Sequence, residues 1–313
     1  MKNLLALVLV NASILAAERT YVVAPDGSGQ FRSIQEAIMA VPQEPNAMPW
    51  TIVIRPGTYK ELVYIQRERG NIILKGDDPN VTTIIFGLHA NMPGPDGRPI
   101  GTFRTASVFI DADNVEAENL TFENSAGPVG QALAIRLDGD RNVFRKCRFL
   151  GWQDTILINR GRHYFKDCYI TGHVDFIFGA GVAFFDGCQI HCLRSGYITA
   201  ASTPKDQAFG FVFSRCRISG EKDVKTYLGR PWRDYAHVVF LDTYMSDVVR
   251  PEGWHDWGRP ERRSTARFAE FNSTGPGARP DSRVDWARQL NEYQSKAYSI
   301  EMVLSGHDGW NPT

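Results

Sequence analysis

Two aspartates, Asp154 and Asp175, stand 21 positions apart, and each opens a strand-like phrase, Asp154-Thr-Ile-Leu-Ile and Asp175-Phe-Ile-Phe-Gly. Seven positions before each is a cysteine, Cys147 in Phe144-Arg-Lys-Cys147-Arg-Phe and Cys168 in Phe165-Lys-Asp-Cys168-Tyr-Ile. One spacing shared at two sites describes a repeating coil whose equivalent positions stack in space. Carboxylates on adjacent rungs, about 5 Å apart, disfavour being charged together, so one keeps its proton to higher pH. An acid beside a base or nucleophile follows. The two titrate as a pair, and the spacing does not say which is which.

Neutral donors flank this pair. Gln153 directly precedes Asp154, and Gln131 opens the earlier phrase Gln131-Ala-Leu-Ala-Ile. Amide NH2 groups beside a carboxylate nucleophile suit a tetrahedral oxyanion, because they stabilise charge growing on a carbonyl oxygen without protonating the nucleophile. Leu228-Gly-Arg-Pro-Trp232 adds a guanidinium and a flat aromatic in a proline-stiffened loop. Arg230 can hold one aspartate in fixed orientation, and that contact is expected to lower its partner's pKa. Trp232 offers a face for a sugar ring. The chain has no Gly-x-Ser-x-Gly elbow and no His-Glu-x-x-His motif, and single histidines such as His173 and His237 are expected to pack or face solvent.

The elements that must position these groups belong to a solenoid. The repeat continues through Phe185-Asp-Gly-Cys188-Gln-Ile and Phe213-Ser-Arg-Cys216-Arg-Ile, and backwards to Asn119, in steps of 28, 21, 20 and 28 residues. Recurring Phe, Cys, Ile and Gly fit a parallel β-helix; a leucine-rich repeat would need a leucine consensus that is missing. The Asn119 and cysteine positions are expected to form an interior ladder. Ser33 and Glu36 predict a capping box at the start of a short helix carrying Ile34, Ala37, Ile38 and Val41, which covers the N-terminal end of the stack. The stretch 285–310 is expected to pack along or over the other end.

With 313 residues, 43% apolar and 22% charged content and a formal net charge of zero, the chain has the composition of a soluble globular protein with a sizeable core. Nothing in it marks a nucleic-acid-binding surface. Residues 1–17, with Lys2, an apolar run over 4–10 and Ala16-Ala17, resemble a secretory signal peptide, which predicts a secreted or periplasmic protein, free of the membrane once the signal is removed, with one domain over 18–313. Five cysteines leave at least one unpaired, and Cys168 and Cys188 on adjacent coils could reach disulfide distance. Cys188, His191 and Cys192 lack the second ligand pair of a structural zinc site.

Several separated motifs, in order, resemble those of the pectinesterase family of carbohydrate esterases: Asp26-Gly-Ser-Gly-Gln-Phe-Arg-Ser-Ile-Gln-Glu-Ala-Ile, Pro56-Gly-Thr-Tyr-Lys-Glu, Gln131-Ala-Leu-Ala, Gly151-Trp-Gln-Asp-Thr, Asp175-Phe-Ile-Phe-Gly and Leu228-Gly-Arg-Pro-Trp. The resemblance implies a right-handed parallel β-helix that hydrolyses the C6 methyl esters of polygalacturonate in pectin without a cofactor or metal, as a monomer. By position it implies Asp175 as nucleophile, Asp154 as general acid and then base, Gln131 and Gln153 as oxyanion donors, and Arg230 as the group orienting the nucleophile. It implies Trp232, Phe178 and Ser107, with Arg230 and Gln131, as substrate contacts. His173 and Val174, and the loop 88–100, depart from the motifs and are expected to shape the groove.

Three other activities compete. A β-helical polygalacturonase would use paired carboxylates at a similar separation, but glycosidic cleavage builds positive charge, which amide donors do not serve. A calcium-dependent pectate lyase would need a carboxylate cluster for its metal. A non-catalytic sugar-binding β-helix would release no methanol.

Overall fold

The computed structural model describes residues 19–43 and 48–313; the expected signal segment 1–17 lies outside them. The described chain is a parallel β-helix. One eleven-stranded sheet runs from Thr20–Val23 through Trp50–Ile54, Ile72–Gly76, Val115–Glu118, Asn142–Arg145 and onward to Arg288–Gln289, with every pairing parallel. A second sheet has thirteen strands and is forked. One arm holds Gly57–Lys60, Thr82–Phe86, Thr121–Asn124 and Arg148–Leu150; the other holds Val63–Ile65, Val108–Ile110, Ile135–Leu137 and Ile156–Ile158. Both arms join at the long strand Tyr169–Gly179, followed by Gln189–Ala201. Each coil therefore has three faces, and two of them fuse beside Asp175.

Like residues stack as the repeat requires. Phe144, Phe165, Phe185, Phe213 and Phe240 form a column of near-parallel rings with centroids 4.4–4.9 Å apart. Beside it the interior ladder runs Cys147, Cys168, Cys188, Cys216, all buried free thiols. Burial pushes the Cys147 thiol up to about 12, so it packs as a small apolar group. The Cys168–Cys188 disulfide that adjacency allowed is not formed. In-register neighbours aim their side chains the same way, and each sulfur donates to a carbonyl, Cys168 to Phe144 and Cys188 to Phe165.

The predicted ladder is corrected at its start. Thr121 pairs with Arg148, so the residue stacked under Cys147 is the buried Leu120, and Asn119 falls one position earlier. Asn119 belongs to a column of left-handed corner residues, with Lys146, Asp167, Gly187, Arg215, Asp242 and Asn272, all at φ between 48 and 66°. These corners turn the chain from the first sheet to the second.

The N-terminal cap is the helix Ile34–Ala40, with Ile34, Ala37, Ile38 and Val41 in the core. Ser33 Oγ accepts from the Glu36 N–H at 3.3 Å, but the reciprocal carboxylate is not that of Glu36. Glu61, from the following coil, accepts from Ser33 Oγ and from the Ile34 and Gln35 N–H groups at 2.7–3.0 Å. A local capping box is thereby replaced by a long-range one that ties the lid to the stack.

At the other end Trp254 stacks on Phe268 at 4.4 Å, and Arg283 forks onto Glu270 at 2.8 and 3.0 Å with both side chains under 5% exposed. Arg283→Ala leaves a buried carboxylate without its cation and is expected to cost about 3–5 kcal/mol, read as a lowered midpoint in urea unfolding. The C-terminal stretch packs both over this end and along the stack: Trp286 and Ala287 pack against the interior core beside Phe268, and the rest runs along the solenoid. Val303, Leu304, Ile300 and Trp310 cover the outer face of the eleven-stranded sheet, where Arg141 and Arg162 bind Asp308. Among the described residues no helix is long and apolar enough to cross a membrane.

Candidate active site

Asp154 and Asp175 meet on neighbouring rungs, because Ile156, Leu157 and Ile158 pair in register with Ile177, Phe178 and Gly179. Both aspartates have left-handed backbones, φ 64° and 52°, a region that costs L-residues energy and that Asp tolerates better than most. At Asp175 there is also a bulge. Val174 pairs with Tyr197 and Ile177 with Thr199, so Asp175 and Phe176 together oppose Ile198 alone. The extra residue re-aims the carboxylate out of the sheet.

Gln131 and Gln153 form a parallel bridge one rung apart. The Gln131 carbonyl accepts from the Ala90 N–H at 2.9 Å, and the Gln153 carbonyl from the Ala132 N–H at 3.1 Å. The loop 88–100, unplaced by sequence, is a hairpin-like excursion closed by a Pro93–Pro99 bridge, and through Ala90 it fixes Gln131. Among the described residues neither glutamine amide is bonded to a protein partner, so both face the cleft with donors available.

Arg230 forks onto Asp175, Nε to Oδ1 at 2.9 Å and Nη2 to Oδ2 at 2.7 Å. Its segment is strapped to the long strand Gln189–Ala201 by Arg230 N–H to the Thr199 carbonyl, Trp232 N–H to the Ala201 carbonyl and Thr199 Oγ1 to the Leu228 carbonyl. Gly229 is required here, since a Cβ would lie 2.0 Å from Thr199 Oγ1. The guanidinium is sandwiched between Tyr197 and Trp257, 3.8 and 3.7 Å from the ring centroids. Two π-faces hold a planar cation in one plane without competing for its N–H donors.

Burial lifts the Asp154 carboxyl well above the ordinary carboxylate range, and the neighbouring charge of Asp175 adds to the rise. Burial also lifts Asp175, against the opposing pull of Arg230. Arg230 lowers the Asp175 pKa as expected, but the net shift is upward, because desolvation of a carboxylate only 6% exposed outweighs that one ion pair. The order of the two acids survives. Asp154, with no bonded cation, holds its proton to higher pH than Asp175.

Asp154, Asp175, Gln131, Gln153 and Arg230 line one cleft of about 460 Å³ with Thr102, Phe103, Phe178, Ala200, Trp232 and Trp257. Phe178 and Trp232 lie 5.7 Å apart and Trp232 and Phe103 6.4 Å, an aromatic wall beside the acids. Ser107, expected to contact substrate, does not reach the cleft. It is fully buried, its hydroxyl donating to the Glu123 carbonyl at 2.7 Å and accepting from the Phe86 N–H. His173 packs edge-on against Trp152 outside the cleft lining, and His237 is buried, its pKa pulled down to about 4 by desolvation. Sequence reasoning missed Thr102, Phe103, Tyr197 and Trp257. Tyr197 had a signal, since Gly196-Tyr-Ile-Thr199 matches Thr226-Tyr-Leu-Gly229 in the next coil and the two tyrosines stack at 5.4 Å. Among the described residues no group of three or more His, Cys, Asp or Glu is arranged to hold a metal ion.

Two stacked acids, two amides and a forked arginine thus share one cleft on the flank of a parallel β-helix. The family model for pectinesterase matches residues 20–307. Pectinesterase 31 of Arabidopsis thaliana is 42% identical, over 88% of this chain and 89% of that protein. The putative pectinesterase/pectinesterase inhibitor 28 of the same plant is 36% identical, but the chain spans only 43% of its length. Among solved structures, pectin methylesterase from carrot superposes with a TM-score of 0.86 at 31% identity, covering 92% of this chain and 93% of that one. A pectin methylesterase in complex with hexasaccharide VII superposes with a TM-score of 0.82 at 31% identity, covering 94% and 98%. The chain belongs to the pectinesterase family, whose members are carboxylic ester hydrolases.

Proposed function

We propose that the protein hydrolyses the methyl esters of polygalacturonate in pectin, giving free carboxylates and methanol. The observation that carries this is the forked Arg230–Asp175 pair one rung from a carboxyl that burial shifts well above the ordinary carboxylate range, under two uncommitted amides. Asp175, ionised and oriented by Arg230, attacks the ester carbonyl. Gln131 and Gln153 donate to the oxyanion, and Asp154 gives its proton to the departing methoxide. The acyl-Asp175 intermediate is an anhydride, which water activated by Asp154 as base then cleaves, returning both acids to their starting states. Trp232, Phe178 and Phe103 supply apolar faces for the sugar and its methyl group.

Methanol without new reducing ends from methylated pectin is the expected result. Reducing ends without methanol would assign the cleft to a glycoside hydrolase, and neither product would leave a binding protein. The same roles fix the pH dependence. Activity needs Asp175 ionised and Asp154 protonated, so it rises with pH through the raised ionisation of Asp175 and falls through the still higher one of Asp154. A kcat/KM profile with its acid limb at or below the pKa of an ordinary aspartate would contradict the assignment. The Asp154→Asn variant is expected to lose the alkaline limb from whatever activity remains. A protein exported by residues 1–17 would meet its substrate outside the cell, and a secreted monomer is the state proposed.

A further inference from the structure

The two faces of the clamp on Arg230 are held differently. Tyr197 is a strand residue, paired with Val174 on one side and Tyr227 on the other, and its ring stacks on that of Tyr227 at 5.4 Å with 11° between the planes. Trp257 sits in a tight turn. Trp257 and Gly258 are both left-handed, φ 65° and 64°, and the Arg259 N–H closes the turn on the Asp256 carbonyl at 3.0 Å. Turns of this kind favour Gly, Asn and Asp at their centre, and a bulky aromatic is costly there. The Trp257 face of the clamp therefore stays in place only as far as its neighbours hold the turn.

One neighbour does so from inside the aromatic cluster. The Trp257 N–H donates to His255 Nδ1 at 2.9 Å. A backbone N–H can only donate, so Nδ1 carries the lone pair and the imidazole is neutral, with its proton on Nε2. The ring packs at a steep angle against both tyrosines, 5.5 Å from Tyr197 and 5.3 Å from Tyr227. The His255 N–H donates to the Gly229 carbonyl at 3.1 Å, directly beside Arg230 in the chain. His255 is thus fixed to the tyrosine stack and to the Arg230 segment, and its one acceptor is aimed at the residue that closes the clamp. Asp256, the other polar side chain of the turn, holds Gly258 instead: Oδ1 accepts from the Gly258 N–H at 2.8 Å, and Oδ2 accepts from Arg263 at 2.6 and 2.8 Å.

Resting on the proposed esterase reaction, we infer that His255 is a positioning residue for it: the neutral imidazole holds Trp257 against Arg230, and Arg230 so held keeps Asp175 ionised and aimed at the ester carbonyl. A guanidinium with only one π-face is free to tilt out of its plane, and tilting weakens a fork whose two bonds must lie in that plane. Arg230 draws the Asp175 carboxyl down against the burial that lifts it. A looser fork therefore lets Asp175 keep its proton to higher pH, and the acid limb of kcat/KM moves up with it.

The test compares two substitutions of this residue. His255→Leu keeps bulk against the tyrosines and removes the acceptor. His255→Asn removes the ring and keeps an acceptor on the same atom of the side chain, the geometry by which Asn bonds the N–H two residues on. On methylated pectin, His255→Leu should lower kcat by roughly tenfold, the scale of one partly desolvated cation–π contact, with KM within about twofold of wild type and the acid limb displaced upward. His255→Asn should recover most of that loss. In an Arg230→Lys background, where the point charge has no plane to hold, adding His255→Leu should cost less than about twofold more. A loss carried by KM alone, equal losses in His255→Leu and His255→Asn, an undiminished loss in the Arg230→Lys background, or a His255→Leu enzyme indistinguishable from wild type would overturn the role. Should His255→Leu fail to fold, His255→Gln, whose acceptor lies one bond further out, takes its place. If the wild type releases no methanol, the hydrolytic assignment fails and the positioning role is read without turnover. Carboxyl-carbon NMR titration of Asp175, assigned with Asp175→Asn, must then show a higher pKa in His255→Leu than in wild type and His255→Asn, and an unchanged value overturns the role.

Discussion

Asp175→Asn should lose methanol release by on the order of 10⁴-fold or more, the scale seen when a nucleophile is deleted from a concerted site, while the fold and melting temperature stay near wild type. The amide is uncharged and cannot form the acyl intermediate, so the loss falls on kcat. The fold should survive for two local reasons. Asn accepts the left-handed backbone at φ 52° as readily as Asp does, and Arg230, losing its carboxylate, remains clamped between Tyr197 and Trp257. Removing an ionisable carboxyl that burial already disfavours offsets part of the lost ion pair. Turnover within threefold of wild type would remove Asp175 from the chemistry.

Gln153→Ala should lower kcat by roughly 10²–10³, about 2.7–4 kcal/mol, as for the loss of one oxyanion donor. Its KM should move little, since a donor aimed at developing charge contributes mainly in the transition state. The backbone at Gln153 is held by its own bridge to Gln131 and by the Ala132 N–H, so truncating the side chain leaves the rung in place. Gln153→Glu tests the sign of the charge, because a third carboxylate would repel the oxyanion and suppress turnover further. Equal activity in wild type and Gln153→Ala would transfer the oxyanion to other donors.

These effects depend on features that were legible in the sequence to different degrees. The stacking of Asp154 on Asp175 could be read because a solenoid converts a sequence interval into a spatial neighbour, and an interval of 21 recurred at the cysteines and at the acids together. The bridge between Gln131 and Gln153 does not follow from that interval, because it spans 22 residues where the strand register just beyond it spans 21. Asn119 was misplaced by one residue because its coil and the next differ by 27 residues where the phenylalanine phrases suggested 28, and one residue separates an interior rung from a left-handed corner. Ser107 lies in the turn before the strand Val108–Ile110, close to cleft residues in number, yet its hydroxyl faces into the backbone of neighbouring coils.

The sequence by itself determined the repeat, hence the parallel stack, the pairing of the two acids and the presence of amide donors, because periodicity and residue type are local properties. Tertiary structure decided the rest. The bulge that turns Asp175 outward, the aromatic clamp on Arg230 from two distant segments, the capping of the first helix by Glu61 and the depth of burial that lifts both carboxyls all come from contacts between segments far apart in the chain. Hydrogen-bond partners and desolvation are set by what surrounds a group in space, and the order of residues fixes that only once the coils have closed over one another.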